Sequence, residues 1–351
     1  MIKRTLLSVS LIGLVSCDRA TEDVPPSTSD IKDSDYISAP LITDIYAGAP
    51  SARVFDGRLY VYPTHDGETA SGKPEHVDYH VFSMNTVGGD IRHDGPIMHV
   101  GDVPWARDRL GAPDAIERDG TFYLYFPAED DRGVFRIGVA TADNPAGPFQ
   151  PRPDPIAGSY SIDPCIFEDD DGSYYLYLGG IGDGQLQRWL GDSYLAADNY
   201  PQPRSPTLMP RMAKLNPDMV SLEHPLTEIA LQDDTGNLVN FGDTERRFGG
   251  GTWVHKYHNT YYLSWSSGDT NLIQYATSNN PYGPFRWQGK LVEAVTGNTT
   301  QHAITEFNGK WYLFYHDIGL SGQDHLRSPK MTELVHRADG SIATIDTFLG
   351  D

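Results

Sequence analysis

Aromatic and aliphatic residues alternate with polar ones over short stretches along most of this 351-residue chain. Alternation with a period of two is typical of β-strands, and few stretches repeat apolar residues at helical spacing. The alternation is clearest in five segments, which are VFDGRLYVYP, IERDGTFYLYFP, FEDDDGSYYLYLGG, VHKYHNTYYLSWS and TEFNGKWYLFYHD. The pattern predicts an all-β protein.

Each of these segments contains a turn signal between two predicted strands. Asp-Gly, His-Asn and Asn-Gly accept the positive φ angles of two-residue hairpin turns. The turn residues are Gly57, Gly120, Gly172, Asn259 and Gly309. Five equivalent hairpins predict a five-bladed β-propeller, in which sheets radiate around a central channel. A β-sandwich is the alternative, but it does not explain the equivalence of the hairpins.

A second repeat supports the propeller. ATADNPAGPF (residues 140–149) and ATSNNPYGPF (residues 276–285) follow the second and fourth hairpins, and each predicts a strand that ends in an Asn-Pro turn. The long interval between the third and fourth hairpins contains GDGQLQRWLGDSYLAADNYPQPRSPTLMPR. We interpret this segment as an insertion that projects from one face.

The innermost strand of each propeller blade begins near the axis. Counting back about eight or nine residues from each turn therefore predicts a ring of residues at the mouth of the channel. The ring consists of Ala49, Ala112, Asp163, Gly250 and Gln301. Asp114 lies two positions beyond Ala112 on the same predicted strand face.

The N-terminus has the features of an export signal. Lys3 and Arg4 precede the short apolar run LLSVSLIGLVS and then Cys17. LVSC resembles a bacterial lipobox, so residues 1–17 are predicted to be a lipoprotein signal peptide, the alternative being cleavage without lipidation. Residues 18–40 are predicted to be a flexible tether, and residues 41–351 the propeller. The expected location is the bacterial cell envelope, lipid-anchored and facing the periplasm or the cell surface.

Cysteine content and charge exclude several functions. With Cys17 lipidated, Cys165 is the other cysteine, which leaves no intramolecular disulfide, and its apolar neighbours predict a core position. A formal net charge of -21 argues against nucleic acid as a partner. Membrane contact is expected only through Cys17. We expect no cofactor and no metal.

The five predicted blades, together with SIDPCIFEDDDG, APDAIERDGTFYLYF and WVHKYHNTYYLSWSSGDT, resemble glycoside hydrolase family 43. The resemblance extends from about Leu41 to the end of the chain. It implies a five-bladed propeller that releases arabinose, xylose or a related sugar with inversion of configuration. The implied partner is an oligosaccharide derived from a polysaccharide.

The resemblance also implies a role for each ring position. The general base of the family matches Ala49, the general acid matches Gly250, and the aspartate that adjusts the acid matches Asp163. A histidine that helps to hold a central cation or water matches Gln301. Inversion needs a base and an acid whose carboxyls lie about 6.5–9.5 Å apart, and neither alanine nor glycine transfers protons. The matched positions therefore indicate a divergent member without the usual base and acid.

Two functions remain open at this point. The first is an exo-acting glycoside hydrolase with a non-standard acid/base set, for which Asp163, Glu245 and His302 are the catalytic candidates. The second is a catalytically inactive propeller that binds glycans. Two titratable groups facing each other across the pocket near Asp163 would favour catalysis, and an isolated Asp163 would favour binding.

Sugar sites also need hydroxyl ligands and aromatic faces. The predicted substrate-binding residues are Asp114, Trp105, Trp253, Ala49, Gly250 and Gln301. Packing between blades is the alternative role for both tryptophans, and Asp114 is a ligand for a substrate hydroxyl rather than a catalyst. Arg53, Arg107 and Arg109 would suit an anionic sugar, although ion pairs would explain them equally well.

Overall fold

A computed structural model of the protein describes residues 39–69, 72, 74–267, 272–292, 295–297 and 301–345. The predicted signal peptide, including Cys17, and nearly all of the predicted tether lie outside the described residues. The described residues form five antiparallel-based sheets arranged as the blades of a five-bladed β-propeller. The fold predicted from the hairpin repeat is confirmed.

The first two blades contain the first eleven strands. Blade 1 has the strand order β1-β2-β5-β6, and a small hairpin of β3 and β4 extends from it. These strands are β1 (Ala47–Phe55), β2 (Arg58–His65), β3 (Gly67–Glu68), β4 (Pro74–Glu75), β5 (Asp78–Met84) and β6 (Arg92–His99). Blade 2 has the order β11-β10-β9-β7, and β8 also pairs with β9. These strands are β7 (Asp108–Leu110), β8 (Asp114–Arg118), β9 (Thr121–Glu129), β10 (Phe135–Ala142) and β11 (Gln150–Pro151).

The remaining three blades complete the ring. Blade 3 has the order β12-β13-β16-β17 with a separate β14-β15 hairpin, blade 4 the order β18-β22-β21-β20-β19, and blade 5 the order β23-β24-β25. The strands of blade 3 and its hairpin are β12 (Cys165–Glu168), β13 (Tyr174–Leu178), β14 (Trp189–Leu190), β15 (Ser193–Tyr194), β16 (Arg211–Lys214) and β17 (Thr227–Glu228). Those of blades 4 and 5 are β18 (Leu231–Gln232), β19 (Phe248–Tyr257), β20 (Thr260–Ser267), β21 (Ile273–Ser278), β22 (Phe285–Val292), β23 (Ala303–Phe307), β24 (Lys310–Asp317) and β25 (Ser328–Leu334).

Four of the five hairpins have the predicted two-residue turn. Asp56, Asp119, His258 and Asn308 have φ angles between 49° and 54°, the left-handed region that such turns require. The third hairpin is different, because β12 ends at Glu168 and β13 begins at Tyr174, which leaves a five-residue connection. The two-residue prediction was wrong there because Asp169 accepts a bond from Gly172 N–H and donates its own N–H to Ser173 O, which closes a wider turn.

The first and fifth blades are joined by backbone and side-chain hydrogen bonds. Leu41 N–H donates to Pro329 O at 2.7 Å, and Ala47 N–H donates to Arg327 O at 2.8 Å. Thr305 Oγ1 donates to Ala52 O at 3.0 Å. The N-terminal strand of the propeller therefore closes the ring against its last blade.

The segment between β13 and β16 packs against the propeller along part of its length. Its short 3-10 turns lie at Gly182–Gly184 and Leu186–Arg188. A further 3-10 turn, at Val100–Asp102, lies between β6 and β7 and is not part of this segment. Leu186 is fully buried, and the Trp189 ring stacks on Tyr160 with centroids 4.3 Å apart. The prediction of a projecting insertion was therefore incomplete, because its first half contributes apolar residues to the core.

Cys165 lies in the core, as predicted, with no exposed surface. Its Sγ accepts a hydrogen bond from Val254 N–H. Among the described residues, no helix combines the length and the hydrophobicity that a membrane crossing requires.

Candidate active site

A pocket of about 320 Å³ opens at one end of the propeller axis. Strand ends and adjoining loops from all five blades meet there. The lining comprises Ala49, Thr64, His76, Arg109, Leu110, Gly111, Ala112, Phe135, Ile162, Asp163, Gly180, Ile181, Asp183, Gly184, Gly249, Gly250, Ser266, Ser267 and Arg327. Its volume is near the lower end of the range for small-molecule sites.

Asp163 is the buried carboxylate of this pocket, with 6% of its surface exposed. It precedes β12 with a φ of 59°, a left-handed conformation that aspartate tolerates better than most residues. Its Oδ2 accepts a hydrogen bond from Gly251 N–H at 2.8 Å. Burial raises the pKa of Asp163 to about 6, although the Gly251 hydrogen bond and the Arg327 charge act in the opposite direction. A carboxyl with this pKa exchanges its proton near neutral pH.

The two positions matched to the base and the acid both line the pocket. Ala49 has a φ of 51°, and its N–H donates to His316 Nδ1 at 3.0 Å. Gly250 contacts Asp163 so closely that a Cβ at residue 250 would be 3.1 Å from Asp163 Oδ2. A longer side chain at residue 250 would therefore begin beside this carboxylate. Neither native residue carries a proton-transfer group.

Arg327 brings a fixed positive charge into the pocket. Its Nε and Nη2 atoms donate to the two carboxylate oxygens of Asp66 at 2.7 and 2.6 Å. Burial opposes the charge of Arg327, but the pairing with Asp66 outweighs this effect and raises the pKa of the guanidinium. The guanidinium lies against Gly48, where a Cβ would be 2.2 Å from Arg327 Cζ. Glycine at residue 48 thus leaves room for the arginine as it is placed here.

His76 and Thr64 are pocket residues that the sequence analysis did not identify. The His76 Nε2 atom lies 3.4 Å from Asp66 Oδ1. Burial and the Arg327 charge lower the pKa of His76 to about 4, so its imidazole is neutral near neutral pH. Thr64 Oγ1 is buried and has no hydrogen-bond partner within the part of the chain that the structure describes. Buried hydroxyls normally have a hydrogen-bond partner, so this one has unused hydrogen-bonding capacity at the pocket wall.

Two of the predicted catalytic residues lie outside the pocket lining. The Glu245 side chain is 59% exposed, and its Oε1 atom is 3.7 Å from Lys290 Nζ. His302 is fully buried, with its Nε2 atom 2.6 Å from Ser264 Oγ. Burial lowers the pKa of His302 to about 3. The structure therefore does not bring either residue together with Asp163 in the pocket wall.

Asp114 is a buried contact between blades. Its carboxylate accepts hydrogen bonds from Ser51 Oγ, from Arg53 and from Ile166 N–H, and it also pairs with Arg53 as a salt bridge. It has no exposed surface and is absent from the pocket lining. Ala112, two residues earlier, does line the pocket.

The two predicted aromatic platforms pack against other parts of the protein, Trp253 inside the core and Trp105 partly buried. Trp253 is fully buried, its Nε1 atom donates to Ile304 O, and Arg53 lies 4.4 Å from its ring centroid. Trp105 stacks on Phe126 at a centroid distance of 6.1 Å. Neither lines the pocket, and the aromatic ring that does so is Phe135. Of the three arginines considered for an anionic sugar, Arg109 alone is among the lining residues.

Gln301 is buried and lies outside the lining, although it matches the position implied to help hold a cation or water. Its Oε1 and Nε2 atoms have no hydrogen-bond partner among the described residues. An unpaired buried amide is costly, so a water or a cation fits there. Calcium accepts amide carbonyl oxygens as ligands. A cation held by Gln301 Oε1 would add positive charge near the start of blade 5.

Five β-sheet blades and an axial pocket with a buried carboxylate define the protein as a five-bladed β-propeller with a polar axial site. A family model described as glycosyl hydrolases family 43 matches residues 91–342. The chain belongs to this family, and its curated relatives place it among the glycoside hydrolases.

Those relatives align over nearly their whole length. The chain is 47% identical over 322 residues to a xylosidase/arabinosidase 43A of Humicola insolens, covering 87% of this chain and 98% of the relative. It is 44% identical over 314 residues to a xylosidase/arabinosidase of Bacteroides ovatus, covering 87% and 97%.

Solved structures show the same fold. A GH43 beta-xylosidase/alpha-arabinofuranosidase from a compost microbial metagenome, in complex with xylotriose and in a calcium-free form, is 50% identical with a TM-score of 0.85, covering 89% of this chain and 98% of that one. The GH43_1 enzyme from Xanthomonas citri complexed with xylotriose is 50% identical with a TM-score of 0.86, covering 90% and 96%.

Proposed function

We propose that this protein is an exo-acting glycoside hydrolase that removes a terminal xylosyl or arabinosyl unit from a xylan-derived oligosaccharide, with an acid/base set that departs from that of its family. The observation that carries the proposal is Asp163, a buried carboxyl with a pKa of about 6 inside an axial pocket. The substrate class comes from relatives named xylosidase/arabinosidase and from related structures that bind xylotriose.

Asp163 can serve as one proton-transfer group. Its proton is held by burial, as in other carboxylic acids that act as general acids near neutral pH. Hydrolysis with inversion needs a second group that activates water on the opposite side of the sugar. The pocket wall offers the His76 imidazole as the candidate for this role. Asp183 also lines the pocket, but its side chain is 91% exposed at the rim.

The second candidate is a propeller that binds the same sugar without hydrolysing it. It is favoured by the immediate surroundings of Asp163, which include Gly180, Gly250 and Gly251 and provide no second carboxylate among the described residues. Loss of a general acid or base typically lowers the rate by 10² to 10⁴-fold. Binding can persist when catalysis is lost, because Thr64, Phe135 and Arg327 remain in the wall.

Product analysis separates the two candidates. Purified protein is incubated with xylotriose and with arabinose-substituted xylotriose, and released monosaccharide is followed by NMR. We expect release by the native protein, and a decrease of at least about 10²-fold in both Asp163→Asn and His76→Gln. Binding of xylotriose without release by the native protein would contradict hydrolysis and support the second candidate. Unchanged release of monosaccharide in Asp163→Asn would contradict the catalytic role of Asp163.

We also propose that the protein is anchored to the bacterial cell envelope through a lipid on Cys17. The support is the basic and apolar sequence that precedes LVSC. Expression of the native chain and of Cys17→Ala, followed by membrane fractionation, tests this. Recovery of both proteins in the membrane fraction would contradict the lipid anchor.

A further inference from the structure

One face of blade 1 carries a cluster of histidine and aspartate side chains outside the pocket lining. His65 ends β2, and Asp78 begins β5, its antiparallel neighbour. His80 lies two residues beyond Asp78, so the two side chains share one face of the sheet. Tyr79 between them is fully buried on the other face. The three polar side chains are therefore fixed on two paired strands.

The ligand atoms of this cluster are close enough to bind one ion. Those of His65, Asp78 and His80 all lie within 4.8 Å of one another. His65 Nδ1 is 2.7 Å from Asp78 Oδ1, and His80 Nε2 is 3.3 Å from Asp78 Oδ2. Metal–ligand bonds of about 2.1 Å to His80 Nε2 and Asp78 Oδ2 would enclose an angle of about 105°, close to tetrahedral. Metal binding to His65 Nδ1 would displace the proton that joins this nitrogen to Asp78 Oδ1.

Two further side chains orient His80. His93 Nδ1 lies 2.6 Å from Asp44 Oδ2, so this nitrogen carries the proton that the carboxylate accepts. In neutral His93 the Nε2 atom is then an acceptor, and it lies 2.8 Å from His80 Nδ1, which therefore donates. The remaining lone pair of neutral His80, on Nε2, faces Asp78 Oδ2. In this arrangement the two acceptors, 3.3 Å apart, are joined either by a metal ion or by one further proton on the His80–His93 pair.

We propose that His65, Asp78 and His80 form a binding site for a divalent transition metal of the zinc class. Two imidazoles and one carboxylate are the ligand set of open zinc sites, in which water takes the remaining position. The hydrogen bonds from His80 to His93 and from His93 to Asp44 form the outer support that metal-bound histidines usually have. Asp78 also lines a surface groove with Pro96 and His99, which gives the ion an entry path.

The metal site is separate from the pocket and from Gln301. None of its three ligands is among the residues that line the pocket, although His65 is followed by Asp66, the partner of Arg327. The sequence analysis expected no metal, and His65 and His80 are not at a recognisable ligand spacing in the sequence. Their proximity arises from the pairing of β2 with β5.

Calorimetric titration of the full chain with ZnCl₂, after removal of metals with a chelator, tests the proposal. Exposed His224 supplies a matched control, His224→Gln. We expect one zinc ion per chain, affinity at least about 10-fold weaker in His65→Gln and His80→Gln, and affinity about 10 to 100-fold weaker in His93→Gln. The His224→Gln protein should bind like the native one. Calcium should give no saturable heat that these histidine changes remove, because calcium prefers oxygen ligands.

Thermal unfolding in chelator shows whether each variant folds, and zinc should raise the melting temperature of the native protein more than that of His80→Gln. If neither ligand variant folds, the zinc X-ray absorption spectrum of the native protein decides between two imidazole ligands and none. Absence of saturable zinc binding, equal affinity in His80→Gln, or a sulfur-ligated zinc would overturn the site. The first outcome would assign the cation between His80 and Asp78 to a proton.

Discussion

Gly250 and Asp163 are in direct contact, and a Cβ at residue 250 would lie 3.1 Å from Asp163 Oδ2. A carboxylate introduced at residue 250 would therefore begin beside the one buried carboxyl of the described pocket. Ala49 also lines the pocket, in a left-handed conformation that aspartate tolerates well. The backbone at both positions can accept an acidic side chain after a small shift of Asp163.

The double variant Ala49→Asp, Gly250→Glu should release monosaccharide from xylotriose faster than the native protein. The physical reason is that both changes add a carboxyl where the family resemblance implies a base and an acid. General acid or base catalysis typically contributes 10² to 10⁴-fold, so we expect a gain of at least about 10²-fold. Rates of xylose release at constant enzyme concentration measure this.

The matched control for this experiment is Ala49→Asn, Gly250→Gln. It introduces side chains of nearly the same size that transfer no proton at these positions. A gain that is equal in the two double variants would show that packing or substrate positioning, not proton transfer, is responsible. Native-like rates in the acidic variant would show that residues 49 and 250 do not face the reacting bond.

Replacement of Asp163 by asparagine should stabilise the folded protein at alkaline pH. Burial raises the pKa of Asp163 from an ordinary value of 3.8 to about 6. The folded state then holds a proton that the unfolded state releases, so the stability contributed by Asp163 is complete below pH 3.8 and is lost as the pH rises through about 6. The interval between these values is equivalent to about 3 kcal/mol.

Asparagine keeps the acceptor for Gly251 N–H and tolerates the φ of 59°. Denaturant unfolding at pH 4 and pH 8 measures the effect. The free energies of unfolding of the two proteins should be similar at pH 4, with Asp163→Asn more stable at pH 8 by up to about 3 kcal/mol. A pH-independent difference would contradict a raised pKa for Asp163.

The sequence was sufficient to predict the fold because each hairpin contains its own turn signal. Asp56-Gly57 and Asn308-Gly309 favour the positive φ angles that a two-residue turn needs, and both adopt them. The approach to the axis could also be predicted by counting back from the turns, and Ala49, Asp163 and Gly250 do line the pocket. Counting back from the turn did not place Gln301 in the pocket, because this residue is buried outside the lining.

The other pocket residues could not be predicted in the same way. Thr64 lies near the end of β2, whereas His76 and Arg327 lie next to strands in connections. The approach of these residues to the pocket depends on long-range pairs, above all the ion pair between Arg327 and Asp66. The sequence did contain a weak signal for some of these lining residues. THD at residues 64–66 and SWSS at residues 264–267 stand where the second strands of their hairpins end, and Thr64, Ser266 and Ser267 line the pocket. The prediction that Trp253 binds substrate was wrong because an aromatic residue near the axis packs against the next blade as readily as it faces a sugar.

Asp114 is expected to support the fold rather than the sugar. Asp114→Asn removes the charge that faces Arg53 and leaves the guanidinium without its buried counterion, a type of change that typically costs 3–5 kcal/mol. Denaturant unfolding should show a loss of about 3 kcal/mol or more. The control is Asp119→Asn. The ion pair of Asp119 with Arg118 is solvent-exposed and should contribute little to the free energy of unfolding. A stable Asp114→Asn protein with a greatly raised KM for xylotriose would instead support the predicted substrate contact.

Arg327→Lys should weaken sugar binding more than it changes catalysis. Lysine retains the positive charge but cannot form the two parallel hydrogen bonds through which Arg327 holds both oxygens of Asp66. The cation would therefore no longer be held in one place against Gly48. We expect a KM for xylotriose raised by about 10-fold, equivalent to about 1.4 kcal/mol, with a smaller change in kcat.

Arg188→Lys, at a half-exposed pair with Asp198, is the control and should leave both constants unchanged. An equal decrease of kcat and kcat/KM in Arg327→Lys would contradict this, since it would place the role of the guanidinium in the transition state rather than in binding.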